Sequence, residues 1–209
     1  MISANIYSLE TLPTPVMDAI HAGLGMTAYY MGQTLVTREK TVNLPLTSDG
    51  LVDPRRVSYG KLQTDVDLHV MAVPLFSTDG RLGTSFEGSG KVYVDITHGK
   101  PQVVRSTTSH ESGHAIGYEP PLHDASDVAH CAVESCLMSS AVDMPVAAVG
   151  KLISPETLFD RIARGLPPPP IRMESGQNDF CPDCKVALHE QGDELLGSLR
   201  EYRCAKGSV

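Results

Sequence analysis

Two histidines four residues apart enclose a glutamate in the sequence His110-Glu111-Ser112-Gly113-His114. Upstream, Pro101 stands at a typical first-turn position of a helix, and Gly117 can end that helix by adopting a left-handed conformation. The segment between these two residues is therefore predicted to be helical. Because one helical turn separates the two imidazoles, both lie on one face and can bind a single metal ion.

The glutamate inside this motif supplies a base. A carboxylate beside a metal-bound water can take its proton, while the metal lowers the pKa of that water towards ~7 and polarises a carbonyl group. Taken by itself, the motif could also occur by chance on a solvent-exposed helix that binds no metal. A strand predicted to end near Ile96 and the glycine at position 117 favour the metal site, since the glycine lets the chain turn back towards the metal.

Two downstream histidines, His123 and His130, are candidates for a third ligand. His130 begins the series His130-Cys131-x4-Cys136-x-Met138, and Cys181 and Cys184 follow later in the chain. This series resembles the archaemetzincin family of zinc metallopeptidases, which carry H-E-x-x-H-x-x-G-x-x-H-C-x4-C-x-M and then C-x-x-C. The resemblance covers most of the chain and is specific between residues 110 and 184.

The resemblance implies a zinc-dependent peptidase with two Zn²⁺ ions and a peptide or protein substrate. The implied catalytic zinc has three ligands: His110, His114 and His130. Glu111 is the implied base, and Met138 is the implied methionine of the turn beneath the metal. A second, structural zinc has four implied ligands: Cys131, Cys136, Cys181 and Cys184. Four thiolates form a closed site that stabilises a fold and leaves no position for a substrate.

The chain departs from the family pattern between Gly117 and His130. Residues 118–129 stand where the family has two residues, an insertion of ten. His123 would require an insertion of only three but would lose the adjacency of histidine and cysteine, so His130 is preferred and His123 stays an alternative. Asp124 or Asp127 could supply a fourth ligand, which would indicate a latent site. Tyr118 could stabilise an oxyanion if the insertion folds back.

The expected fold class is α/β (α+β). Hydrophobic patterning predicts strands at 5–9, 27–36 and 68–76, the last of them central, and helices at 15–24 and from Pro54 towards Leu62. The resemblance implies a metzincin-like twisted mixed sheet with an antiparallel edge strand, an active-site helix and a smaller zinc-stapled C-terminal part. Residues 91–96 alternate in polarity and are predicted to be that edge strand, where an extended peptide could pair.

The C-terminal half contains three further predicted segments: a short helix opening at Ser154, an extended proline spacer at 167–170, and a helix with an apolar stripe from 193 to 202. The 209 residues fit one catalytic domain with an N-terminal subdomain, 1–117, and a C-terminal subdomain, 118–209.

Composition limits the partners and the compartment. The net charge of -8 and the scattered Lys and Arg residues argue against a nucleic-acid partner. No stretch approaches the ~20 apolar residues that span a bilayer, and a soluble, cytoplasmic monomer is expected. In a reducing compartment, cysteines at short spacings indicate metal ligands rather than disulfides. Two rival functions are a catalytically silent, zinc-stabilised peptide-binding protein and a zinc hydrolase of a non-peptide amide.

Overall fold

A computed structural model of the chain describes residues 1–57, 65–75, 81–97, 100–124, 127–133, 135–139 and 179–206. The predicted helix at Ser154 and the proline spacer at 167–170 lie outside the described residues. None of the helices in the described ranges is both long and apolar enough to span a membrane.

A mixed sheet forms the centre of the described structure. Its strands in chain order are Ile2–Ser8 (β1), Leu35–Thr41 (β2), Leu68–Val73 (β3), Gly83–Phe86 (β4) and Lys91–Asp95 (β5). They lie in the order β2-β1-β3-β5-β4, with four parallel strands and with β4 antiparallel to β5 at one edge. Every residue of β3 is buried, because elements cover both faces of the sheet. The predicted mixed sheet with an antiparallel edge strand and the predicted central strand are confirmed.

Two helices, Thr14–Tyr30 (α1) and Pro101–Ala115 (α2), pack on one face of the sheet. A third helix, Pro182–Lys206 (α3), adds Leu196 and Leu199 to the same core. On the opposite face, a loop covers Tyr7, Met71 and Tyr93. A two-stranded hairpin, His123–Asp124 (β6) and Asp127–Cys131 (β7), follows α2.

Helix α1 corrects the predicted strand at 27–36. The helix continues to Tyr30, and the strand that follows begins only at Leu35. Thr and Tyr favour strands, but packing decides here: Thr27 is buried, and its Oγ1 lies 3.0 Å from Oγ of Ser109 on α2. The interface between α1 and α2 therefore overrides the local preference.

The edge-strand assignment of residues 91–96 is also wrong. Strand β5 lies inside the sheet, parallel to β3, and the edge strand is β4. The three central residues of β5 are all buried because Tyr93, read as solvent-facing, packs into the core of the opposite face. The polar flanks Lys91 and Asp95 made an interior strand resemble a half-exposed one.

The predicted helix at Pro54 is a single 3-10 turn, Pro54–Arg56. Asp53 caps this turn as expected, since its side chain accepts a hydrogen bond from the Arg55 backbone N–H at 3.0 Å. Extended backbone at Val57 ends the turn. The rest of the predicted helix, residues 58–62, lies outside the described residues.

Candidate metal centres

Helix α2 places His110 and His114 on one face. Pro101 occupies its first turn, and Gly117, with φ of 81°, follows its C-terminal end. The Nε2 atoms of the two histidines lie 3.1 Å apart. Two nitrogen ligands of a tetrahedral zinc ion, each ~2.0–2.1 Å from the metal, lie roughly 3.3 Å apart. The spacing of the two imidazoles therefore fits a shared metal ion.

The third imidazole comes from strand β7. Ligand atoms of His110, His114 and His130 all lie within 4.8 Å of one another. The His130 ring centroid lies 5.3 Å from that of His110 and 4.9 Å from that of His114. His123 is exposed, and its Nδ1 lies 3.3 Å from the carbonyl oxygen of Pro120. Of the two candidates, the fold therefore brings His130 to the pair on α2.

A backbone carbonyl fixes the ring of His110. Its Nδ1 lies 2.8 Å from the carbonyl oxygen of Leu137, to which the N–H donates a hydrogen bond. This bond leaves Nε2 as the nitrogen with a lone pair, and Nε2 faces the other two imidazoles. Leu137 could not be predicted from the sequence. It contacts His110 through its backbone, 27 residues away, and a backbone contact requires no particular side chain.

Glu111 lies under the edge strand. Its side chain is buried, and the hydroxyl of Ser85 on β4 donates a hydrogen bond to its Oε2 atom at 2.5 Å. Gly83 makes this approach possible, because a Cβ atom there would lie 2.5 Å from Thr107 Cγ2 and 2.8 Å from Glu111 Cγ. Neither Ser85 nor Gly83 was predicted as a site residue, because the edge strand was assigned to residues 91–96.

Met138 packs directly against helix α2. A Cβ atom added to Gly113 would lie 2.7 Å from Met138 Sδ. Gly113 is on the helical turn between His110 and His114, so Met138 contacts the part of α2 that carries both imidazoles. The absence of a side chain at Gly113 lets Met138 pack this closely against the helix.

Asp124 and Asp127 were predicted as possible further ligands. Their side chains lie outside the described residues.

Four cysteines form a second cluster. The Sγ atoms of Cys131, Cys136, Cys181 and Cys184 all lie within 4.8 Å of one another, and the four residues are buried free thiols. Cys131 Sγ and Cys181 Sγ are 3.8 Å apart. Two sulfur ligands at ~2.3 Å from a tetrahedral zinc ion lie roughly 3.8 Å apart. Distance and donor type therefore fit a closed thiolate site.

Two of these thiols have pKa values that are shifted in opposite directions. Burial raises the pKa of Cys131 to about 12, whereas a hydrogen bond from the Cys184 thiol lowers that of Cys136 to about 5. Without a cation, the cluster therefore favours the thiolate at Cys136 and the protonated thiol at Cys131. Four thiolates would need a bound cation to offset their mutual repulsion.

Known structures with the same arrangement of elements include archaemetzincin from Methanopyrus kandleri. The two sequences are 13% identical, and the match covers 92% of this chain and 96% of that chain with a TM-score of 0.62. The chain has the archaemetzincin fold. No protein-family model matches the sequence, and no curated protein matches it.

Two further structures share the archaemetzincin fold with this chain. Archaemetzincin from Archaeoglobus fulgidus, solved in complex with malonate, is 12% identical, with coverage of 89% of this chain and 99% of that chain and a TM-score of 0.51. A zinc-dependent peptidase from Methanocorpusculum labreanum is 12% identical, with coverage of 90% and 100% and a TM-score of 0.52. At these identities the likeness establishes the fold.

In this archaemetzincin-like chain, two short segments connect the clusters. His130 and Cys131 are neighbours on β7, so their side chains point in opposite directions, one to each cluster. The turn at 135–139 contributes Cys136 to the thiol cluster, the Leu137 carbonyl to His110, and Met138 to the underside of α2. Both segments therefore connect the two clusters through the backbone.

Tyr118 contacts a residue of the thiol cluster. It is buried, and its hydroxyl donates to the carbonyl oxygen of Cys184 at 3.3 Å. Burial raises the pKa of Tyr118, and a hydrogen bond with the Cys184 side chain adds to this effect. The residue thus supports the second cluster, which corrects the suggestion that it stabilises an oxyanion.

Proposed function

We propose that the chain is a zinc-dependent metallopeptidase that hydrolyses peptide bonds. The observation that carries this proposal is the meeting of three imidazoles from α2 and β7, with the buried carboxylate of Glu111 on the same helix as two of them. The archaemetzincin fold supports it, as does the zinc dependence stated for the peptidase from Methanocorpusculum labreanum. Within the described residues, the imidazole group has three members, which is the ligand number of catalytic rather than structural zinc sites.

In this proposal His110, His114 and His130 hold the catalytic zinc. When bound, the metal would polarise the scissile carbonyl and make a water molecule acidic enough to attack it near neutral pH. Glu111 would accept a proton from the attacking water at its carboxylate and then donate it to the leaving amine. The Leu137 carbonyl keeps His110 in the tautomer that this arrangement requires.

The outer edge of β4 is the proposed docking site for the peptide. Within the described residues, β4 pairs on one side only, with β5. The Asp95 N–H donates to the Leu82 carbonyl at 2.8 Å, which sets the alternation of the antiparallel ladder. By that alternation the backbone groups of Gly83 and Ser85 point away from β5. An extended peptide could pair with them beside Glu111.

The thiol cluster is proposed to hold a second zinc with a structural role. Its four buried sulfurs leave no position for a substrate, and thiolates are ligands that select zinc. The proposal therefore requires two Zn²⁺ per chain, one at each cluster.

The decisive experiment compares the wild type with Glu111→Gln in a peptide-library cleavage assay, with the zinc content of each measured by mass spectrometry. We expect two zinc ions per chain in both proteins and a loss of turnover of about 10²–10⁴-fold in the variant, the contribution typical of a general base. Glu194→Gln, an exposed acid on α3, is the matched control and should cleave normally. Equal turnover by Glu111→Gln, or zinc at one site only, would contradict the mechanism.

A further inference from the structure

The hydroxyl of Ser85 lies outside every sequence motif of the candidate site. It donates a hydrogen bond to Oε2 of Glu111 and thereby connects the edge strand to the proposed base. The bond crosses from β4 to α2, two elements that are 26 residues apart at this point. Such a bond constrains the orientation of a buried carboxylate.

The side chain and the backbone groups of Ser85 point in different directions, because of its position in strand β4. Its side chain points towards α2, as does the neighbouring position Gly83, which touches Thr107 and Glu111. Its backbone groups point to the outer edge, where the peptide is proposed to pair. The same residue therefore contacts the base and borders the docking edge.

The strand is fixed relative to the helix at its far end as well. The turn after β4 donates two backbone hydrogen bonds to the last carbonyl groups of α2. They run from the Gly88 N–H to the His114 oxygen at 3.1 Å and from the Gly90 N–H to the Ala115 oxygen at 2.8 Å. With the backbone anchored in this way, the hydroxyl of Ser85 can hold Glu111 with little freedom of its own.

We propose that Ser85 is a positioning residue that holds the Glu111 carboxylate in register with a peptide docked on β4. This inference rests on the proposed peptidase function. The hydroxyl occupies Oε2 and thereby orients the carboxylate towards the bond to be cleaved. Positioning of this kind lowers the barrier of the chemical step and leaves peptide pairing, which uses backbone groups, unchanged.

The first test separates kcat from KM in the zinc-loaded protein. Ser85→Ala should lower kcat about tenfold to a hundredfold, the range for a lost hydrogen bond to a charged group, with KM within about twofold of wild type. Ser85→Thr keeps the hydroxyl and should recover most of kcat. Both variants should retain the wild-type zinc content. An unchanged kcat in Ser85→Ala, or a loss that Ser85→Thr does not rescue, overturns the proposal.

Ser3→Ala is the matched control. The Ser3 hydroxyl also donates a hydrogen bond to a carboxylate, that of Asp67, at 2.9 Å. Ser3 lies at the start of β1, and neither residue belongs to the imidazole or the thiol cluster. Removal of the Ser3 hydroxyl should lower stability and leave kcat unchanged. If Ser3→Ala lowers kcat as much as Ser85→Ala, the effect of Ser85 is a general loss of stability and the proposal fails.

A double-mutant cycle tests the contact independently of turnover. Unfolding of the zinc-loaded wild type, Ser85→Ala, Glu111→Ala and the double variant is measured at one fixed free zinc concentration. We expect Ser85→Ala to change the unfolding equilibrium at least threefold more in the wild-type background than in Glu111→Ala. A coupling near zero overturns the positioning role. A wild type that shows this coupling but cleaves no peptide would defeat the proposed function instead.

Discussion

At the level of single residues, the imidazole of His110 shows how the candidate site depends on groups that carry no motif. Its position on α2 follows from the spacing of the two histidines, but its tautomer follows from the Leu137 carbonyl. The motif therefore predicts which atoms can meet a metal. The Leu137 carbonyl determines which nitrogen of His110 is available to a metal. The turn that supplies this carbonyl also carries Cys136 of the thiol cluster.

The choice between His130 and His123 gives a direct prediction. His130→Ala should weaken zinc binding at the imidazole cluster by more than about 100-fold, because a direct ligand is lost, and should lower the zinc content from two ions to one. His123→Ala should retain both ions, since His123 is exposed and lies against Pro120. Chelator competition followed by mass spectrometry measures both. Loss of zinc in His123→Ala with retention in His130→Ala would reverse the assignment.

At the level of elements, the sequence predicted α2 better than the strands around it. Helix α2 has a proline at its start, a glycine after its end and polar and apolar groups in helical order, so local signals agree with the tertiary structure. Strand β5 was assigned to the edge because polar residues at its two ends gave three buried central residues the pattern of a half-exposed strand. The true edge, β4, is a strand of only four residues with a glycine at its start.

Packing at the helix interface explains the other error. Thr27 and the two tyrosines that follow have high strand propensity, yet α1 continues through them. The reason is the buried contact between Thr27 and Ser109, which a sequence of 209 residues cannot reveal because the partners are 82 positions apart. Site residues that depend on such long-range contacts, Ser85 and Leu137 among them, were missed for the same reason.

The connection between the two clusters predicts a remote effect. Cys184→Ser removes one thiolate of the second cluster, so the structural zinc should be released and the protein destabilised by several kcal/mol. Because β7 and the turn at 135–139 join the clusters, affinity at the imidazole cluster should also fall about tenfold or more. Zinc titration and urea unfolding measure the two effects.

The matched control is Cys204→Ser, at an exposed cysteine on the same helix. This variant should change neither the stability nor the affinity of the imidazole cluster for zinc. Full retention of imidazole-site affinity in Cys184→Ser would show that the clusters are independent.

At the scale of the whole molecule, α3 ties the end of the described chain to its beginning. Arg200 donates from Nε to Asp67 Oδ1 at 2.8 Å and from Nη2 to the Met1 carbonyl at 2.9 Å. Asp67 also accepts hydrogen bonds from the Ser3 backbone N–H and hydroxyl at 2.9 Å. The buried carboxylate therefore joins α3, the start of β1 and the segment before β3. The same helix carries Cys184, so this tie also restrains the thiol cluster.

The ionisation of Asp67 gives this tie a pH dependence. Burial opposes ionisation, but hydrogen bonds from Arg200 and Ser3 outweigh it and lower the pKa of Asp67 below its usual value. A carboxyl group with a lowered pKa in the folded state stabilises the protein above the unfolded value of ~3.9, and this stability is lost as pH falls through the folded pKa. The contribution of Arg200 should therefore be complete at neutral pH and absent in strong acid.

Arg200→Gln tests this reasoning by urea unfolding between pH 7 and pH 3. The variant should be less stable at neutral pH by about 1 kcal/mol, a value reduced from that of a buried charged hydrogen bond because the Arg200 side chain is 51% exposed. The difference between the two proteins should shrink as pH falls below ~4, the unfolded value, towards the lowered pKa of Asp67 in the folded protein. Release of zinc in acid affects both proteins alike and cancels in the difference. A difference that stays constant down to pH 3 would mean that Arg200 stabilises the fold through its bond to the Met1 carbonyl rather than through Asp67.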